Sequence, residues 1–60
     1  MLEVGDLVFM EEDKYEVAIY GIVIGFDSEA FGLQFYTIDW FDGQTSTESE
    51  NNLIKVKNNG

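Results

Sequence analysis

The stretch Tyr20 to Gly43, YGIVIGFDSEAFGLQFYTIDWFDG, decides the fold. Its apolar residues do not recur at the three-and-four spacing of an amphipathic helix. β-Branched and aromatic residues fall instead into two runs, Tyr20 to Phe26 and Leu33 to Trp40, punctuated by glycine and short polar residues. In the first run Tyr20, Ile22, Ile24 and Phe26 are expected on one face, with Gly21, Val23 and Gly25 on the other. Two glycines on one face suit a sharp bend or the close approach of another backbone. In the second run Tyr36, Ile38 and Trp40 share a face opposite Phe35, Thr37 and Asp39. Asp27-Ser28-Glu29-Ala30 reads as a polar connection between the two. Asp42-Gly43 is a strong hairpin signal, so Gln44 to Glu48 is expected to fold back on the second run.

Working outward, Val4-Gly5-Asp6 suits a turn that launches a first strand over Leu7 to Met10. Glu11-Glu12-Asp13-Lys14 follows as a charged loop, with Tyr15 to Ile19 as the returning arm. Downstream, Thr47 and Glu50 have capping-box spacing, which fits a single 3₁₀ turn ahead of a last short strand, Leu53 to Val56. Nothing repeats internally. The organisation expected is one all-β domain over residues 1–57, with residues 58–60 as a disordered C-terminal tail.

Sixty residues hold one small domain, and 45% hydrophobic content with 15% aromatics is more than a disordered segment carries. The chain has no Cys and no His, which removes a disulfide scaffold, a thiolate zinc site, a cysteine nucleophile and the usual general base. Ser28, Ser46 and Ser49 have no histidine to activate them. Twelve acids against three lysines give a net charge of −9, which argues against direct binding to a phosphate backbone. The acids gather early, eight of them in residues 1–30 with one lysine. They read as a solubilising coat or as a face for a basic partner. No apolar run is long enough to span a bilayer, so the expectation is a soluble, cytoplasmic protein, without membrane contact and without a cofactor.

Five short strands are too few for a sandwich, and a flat sheet leaves one apolar face uncovered; closing the sheet on itself solves both problems. The segments VGDLV (Val4 to Val8), GIVIGF (Gly21 to Phe26), YTIDWFDG (Tyr36 to Gly43) and LIKV (Leu53 to Val56) together resemble a small five-stranded SH3-like barrel of the Tudor and KOW kind. The resemblance implies a glycine-aspartate opening to strand one, a glycine-flanked aliphatic strand, and an extended strand ending in an aromatic, Asp and Gly. It also implies a short 3₁₀ turn before the final strand. Similar short chains occur among phage and bacterial accessory proteins, which extends the location to the host cytoplasm if the chain is phage-encoded. The fold hosts many functions and carries no activity by itself. KOW-type barrels that bind RNA carry basic loops, whereas the matching loops here hold Glu11, Glu12, Asp13, Asp27 and Glu29.

Trp40 and Phe41 are adjacent, so they point to opposite faces; Trp40 shares parity with Ile38 and is expected inward, leaving Phe41 exposed at the hairpin as a contact residue. The candidate partner-binding residues are Tyr15, Phe41 and Asp42, and the candidate acidic face is Glu11, Glu12, Asp13 and Glu16. A Tudor-like cage would draw on Tyr15, Tyr20, Phe31 and Phe41 with Asp39 or Asp42 beside them, and an SH3-like groove on Tyr15, Tyr20 and Trp40. Packing is the simpler role for most of these rings. Glu11-Glu12-Asp13 lacks the alternating spacing and glycine of a calcium loop and reads as a solvated turn. The function expected is a non-enzymatic accessory module that works by protein contact, with a basic protein or a second copy of itself as partner. Two alternatives are an acidic inhibitor that imitates nucleic acid, acting through residues 3–16, and a virion or assembly subunit.

Overall fold

A computed structural model describes residues 2–12 and 17–56. They form one antiparallel sheet of five strands: β1 (Leu7–Glu12), β2 (Val17–Ala30), β3 (Leu33–Trp40), β4 (Thr45–Ser49) and β5 (Ile54–Lys55). The order across the sheet is β4-β3-β2-β1-β5. The helical content of the described residues is a 3₁₀ turn, Glu50–Asn52, before β5. The all-β expectation holds. Closure into a barrel does not follow, because no ladder joins β4 to β5 among the described residues. β5 is only two residues long, although Val56 extends its pairing by donating to the Leu7 carbonyl at 2.9 Å.

The largest departure from the sequence reading is Asp27 to Ala30, which is strand rather than connection. Ser28 lies opposite Phe35, Glu29 opposite Gln34 and Ala30 opposite Leu33, so β2 runs 14 residues to a two-residue loop at Phe31-Gly32. Both loop residues have positive φ, 56° and 77°, as a type I′ hairpin requires. β1 likewise runs on through Glu11 and Glu12, opposite Ala18 and Val17, which were expected to begin a loop. Lys14 and the expected start of the returning arm at Tyr15 lie outside the described residues. Ser49, not Thr47, precedes the 3₁₀ turn, and no side chain caps it; Thr47 is within β4.

Two bulges bend β2. The register leaves Ile24 and Asp27 without partners on β3, and each extra residue reverses which face the following side chains take. Gly21 and Val23 sit opposite Trp40 and Ile38 on the core face; beyond the Ile24 bulge it is Phe26 that joins this face, opposite Tyr36. The two rings meet edge to face at 5.8 Å. The uniform alternation expected from Tyr20 to Phe26 therefore breaks at Ile24. Val8, Val23, Tyr36, Ile38, Trp40 and Leu53 form the buried core, with Leu2, Met10 and Ile19 packed against it.

At Gly21 the closest approach is of side chains rather than of another backbone, and Gly25 has nothing within 4 Å. A Cβ at Gly21 would stand 2.7 Å from both Ile38 Cγ2 and Trp40 Cε3. At the amino end, Gly5 (φ 97°) and Asp6 form the expected turn, in which the Glu3 N–H donates to Asp6 Oδ2 at 2.9 Å. The turn is bound to β2 through Gly5 N–H to the Val23 carbonyl and Val23 N–H to the Asp6 carbonyl. Among the described residues no helix is long and apolar enough to cross a membrane.

Candidate functional surfaces

Facing pairs share a side of the sheet, so the register alone builds the outer face. One row runs Ile54, Phe9, Tyr20, and the next runs Leu7, Ile22, Asp39. Phe41 continues the first row, since its N–H donates to the Tyr20 carbonyl, and Val56 opens the second beside Leu7. Phe9 and Tyr20 touch, with ring centroids 5.5 Å apart. Tyr20 (43%), Ile54 (47%) and Phe41 (67%) keep much of their surface in water, and Leu7 and Ile22 are also exposed. In these two rows the one charged residue is Asp39, in a chain with twelve acids.

The opposite face holds a cleft of about 230 Å³ lined by Met10, Ile19, Trp40, Asp42, Gln44, Ser46 and Glu48. The β1–β2 pairing Met10 to Ile19 forms one wall. β4 supplies Ser46 and Glu48, opposite Ile38 and Tyr36. Trp40 Nε1 donates to Ser46 Oγ at 2.7 Å, and Ser46 Oγ lies 2.9 Å from Glu48 Oε2. An indole N–H only donates, so the serine hydroxyl accepts from it and passes its own proton towards the carboxylate. The turn that carries Asp42 is closed by Gly43 N–H to the Trp40 carbonyl and Trp40 N–H to the Gln44 carbonyl. Asp42 Oδ1 also accepts from Gln44 N–H at 3.0 Å.

A third feature is the β2–β3 hairpin tip, where Phe31 is completely exposed on left-handed backbone. Large residues seldom occupy that region, and here the two-residue turn imposes it.

Of the residues singled out from the sequence, Phe41 is exposed on the outer face and Asp42 lines the cleft on the opposite face. Trp40 is inward, at 5% exposure. Tyr15, Asp13 and Glu16 lie outside the described residues. Glu11 and Glu12 are placed in β1. The four-ring cage is not assembled: Tyr20 and Phe41 are neighbours on the outer face, while Phe31 is at the opposite end of the β2–β3 ladder. The SH3-like groove fails because Tyr20 and Trp40 are on opposite faces of the sheet. Sequence reasoning missed Glu48 and Ser46; their signal was the even-numbered parity of β4, which places them on the core face with Trp40. Among the described residues there is no cluster of three potential metal ligands.

Neither the family models, nor the curated proteins, nor the solved structures contain a match to this chain.

Proposed function

We propose that the chain is a non-enzymatic protein-contact module that pairs with a second copy of itself through the outer face of β5, β1 and β2. The observation that carries this reading is the scarcity of charge in the rows Ile54–Phe9–Tyr20–Phe41 and Val56–Leu7–Ile22–Asp39, where Asp39 is the one charged residue in so acidic a chain. Charge depletion with aromatic enrichment marks the centre of an interface. At the exposures given above, the face offers on the order of 500 Å² of side-chain surface. Two copies then bury about 1,000 Å² together, the lower limit of a specific interface, and the dimer is weak, with a Kd of about micromolar or higher. Support for a small SH3-like barrel of the Tudor and KOW kind as the underlying fold comes from β5 lying beside β1, the long β2 bent at two bulges, and the 3₁₀ turn before β5.

Dimerisation brings two chains of charge −9 together, so salt strengthens it by screening their repulsion. An acidic inhibitor of a nucleic-acid enzyme shows the reverse, since salt weakens its complex. Sedimentation velocity is run from about 0.01 to 1 M salt, over which the Debye length falls from about 30 to 3 Å. The dimer fraction is expected to rise with salt in the parent chain and to be lost in Phe41→Ser/Ile54→Thr, whose thermal melt reports that the variant is folded. A monomer at every salt concentration, or a dimer that persists in the folded variant, overturns the proposal.

A further inference from the structure

We infer that the core-face cleft is a receptor for the cationic end of a lysine or arginine side chain presented by a partner protein, a site separate from the outer face and independent of whether that face dimerises. Size is the first argument. A cavity of about 150 Å³ holds a benzene ring and small-molecule pockets begin near 300 Å³; at about 230 Å³ this cleft accommodates one side-chain terminus rather than a larger ligand.

Chemistry is the second. Met10, Ile19 and the Trp40 indole give apolar walls, which suit the methylene stem of a long cationic side chain. Indole and thioether also attract a cation or its polarised CH₂ groups. Two residues that carry carboxylates also line it, from different elements: Asp42 on the turn and Glu48 on β4. Neither is loosely held. Glu48 is oriented by the Trp40–Ser46–Glu48 chain and Asp42 by its bond from Gln44 N–H. A carboxylate already fixed by hydrogen bonds loses less freedom when a cation binds. Lys55, the one lysine among the described residues, is engaged elsewhere, 3.5 Å from Asp6.

The probes are the amides of Nα-acetyl-arginine and Nα-acetyl-lysine, with the amide of Nα-acetyl-citrulline as the uncharged isostere. Trp40 is the single tryptophan and lines the cleft, so its fluorescence and its indole N–H resonance report on binding there. The expected result is a saturable shift with the cationic amides at a Kd on the order of 1–10 mM, as befits a ligand of about a dozen heavy atoms. Citrulline amide is expected to leave the signal unmoved. Glu48→Gln, which keeps an acceptor for Ser46, is expected to weaken binding about tenfold while a dispersed amide spectrum reports an intact fold. Should that variant unfold, Asp42→Asn, which retains the turn acceptor, makes the same test. Equal binding of citrulline amide, unchanged affinity in a folded variant, or no shift up to about 0.1 M probe overturns the inference. Loss of the dimer without loss of probe binding would sink only the outer-face proposal, and the converse would sink only this one.

Discussion

Replacing Phe31 by asparagine is expected to make the protein more stable. Phe31 is the first residue of the two-residue loop between Ala30 and Leu33, with φ at 56°, and Gly32 follows at 77°. The left-handed region costs an ordinary L-residue about 1–2 kcal/mol, because its Cβ crowds the next carbonyl oxygen. Glycine is exempt; phenylalanine is not. Asparagine relieves much of this cost through local hydrogen bonding, and Asn-Gly is the preferred pair for this turn. The side chain at 31 is 100% exposed, so its removal forfeits no apolar burial to offset the gain. The net expectation is about 1 kcal/mol of added stability, a rise in Tm of roughly 4–8 °C for a domain of this size. Urea unfolding followed by far-ultraviolet circular dichroism, with the m-value unchanged, is the assay. Phe31→Ala is the companion variant, since it removes the ring and keeps the backbone cost; its stability is expected to match the parent. If Phe31→Asn is neutral or destabilising, the ring makes stabilising contacts or the turn is not type I′, and the reasoning fails.

The same unfolding assay separates two glycines. Gly21→Ala places a methyl 2.7 Å from Ile38 Cγ2 and Trp40 Cε3 and 3.0 Å from the Asp39 carbonyl, and such overpacking costs about 1–3 kcal/mol; Gly25→Ala meets nothing within 4 Å and is expected to be near neutral, so equal tolerance at both positions refutes the packing account. Acid unfolding tests the amino-terminal turn. The Glu3 N–H that bonds its carboxylate holds Asp6 below the ordinary aspartate range, with Lys55 adding to the effect and desolvation opposing it. A depressed carboxylate contributes its stability above the unfolded pKa, about 3.9, and loses it as pH falls through that value towards the folded one. Asp6→Asn is therefore expected to flatten the decline of unfolding free energy below about pH 4; an unchanged acid limb rejects this linkage.

The elements were legible wherever local chemistry and burial agreed. Gly5-Asp6 and Asp42-Gly43 announce turns through residues that adopt positive φ or bond their own backbone, and both turns are present. The parity of Leu33 to Trp40 put Tyr36, Ile38 and Trp40 inside, as found. The failures have two causes. Asp27-Ser28-Glu29 is polar because it ends a long hairpin in water, and a polar run in a two-sided exposed strand looks like a loop until its partner is known. The Phe31-Gly32 turn lacks the asparagine or aspartate that marks such loops, so the sequence signal for the hairpin was half missing. The bulges at Ile24 and Asp27 were invisible for a related reason: a bulge is a property of a pair of strands, and alternation read along one strand carries its phase straight through. That is why the alternation puts Phe26 with Ile22, whereas the register places it on the core face opposite Tyr36.

The two proposed surfaces make opposite demands on the same charge. Twelve acids oppose a homodimer, yet the outer rows hold only Asp39, so the repulsion between copies acts from a distance and is the part that salt screens well. The cleft is lined by Asp42 and Glu48 together with apolar walls, where a cation is attracted at contact by hydrogen-bonded carboxylates and by the net negative field around them. Raising the salt should therefore strengthen self-association and weaken capture of a cationic side chain in one and the same sample. A solubilising coat alone predicts neither response, and a nucleic-acid mimic predicts weakening only. Opposite salt slopes for sedimentation and for the Trp40 signal are thus a signature that a uniformly acidic surface cannot produce.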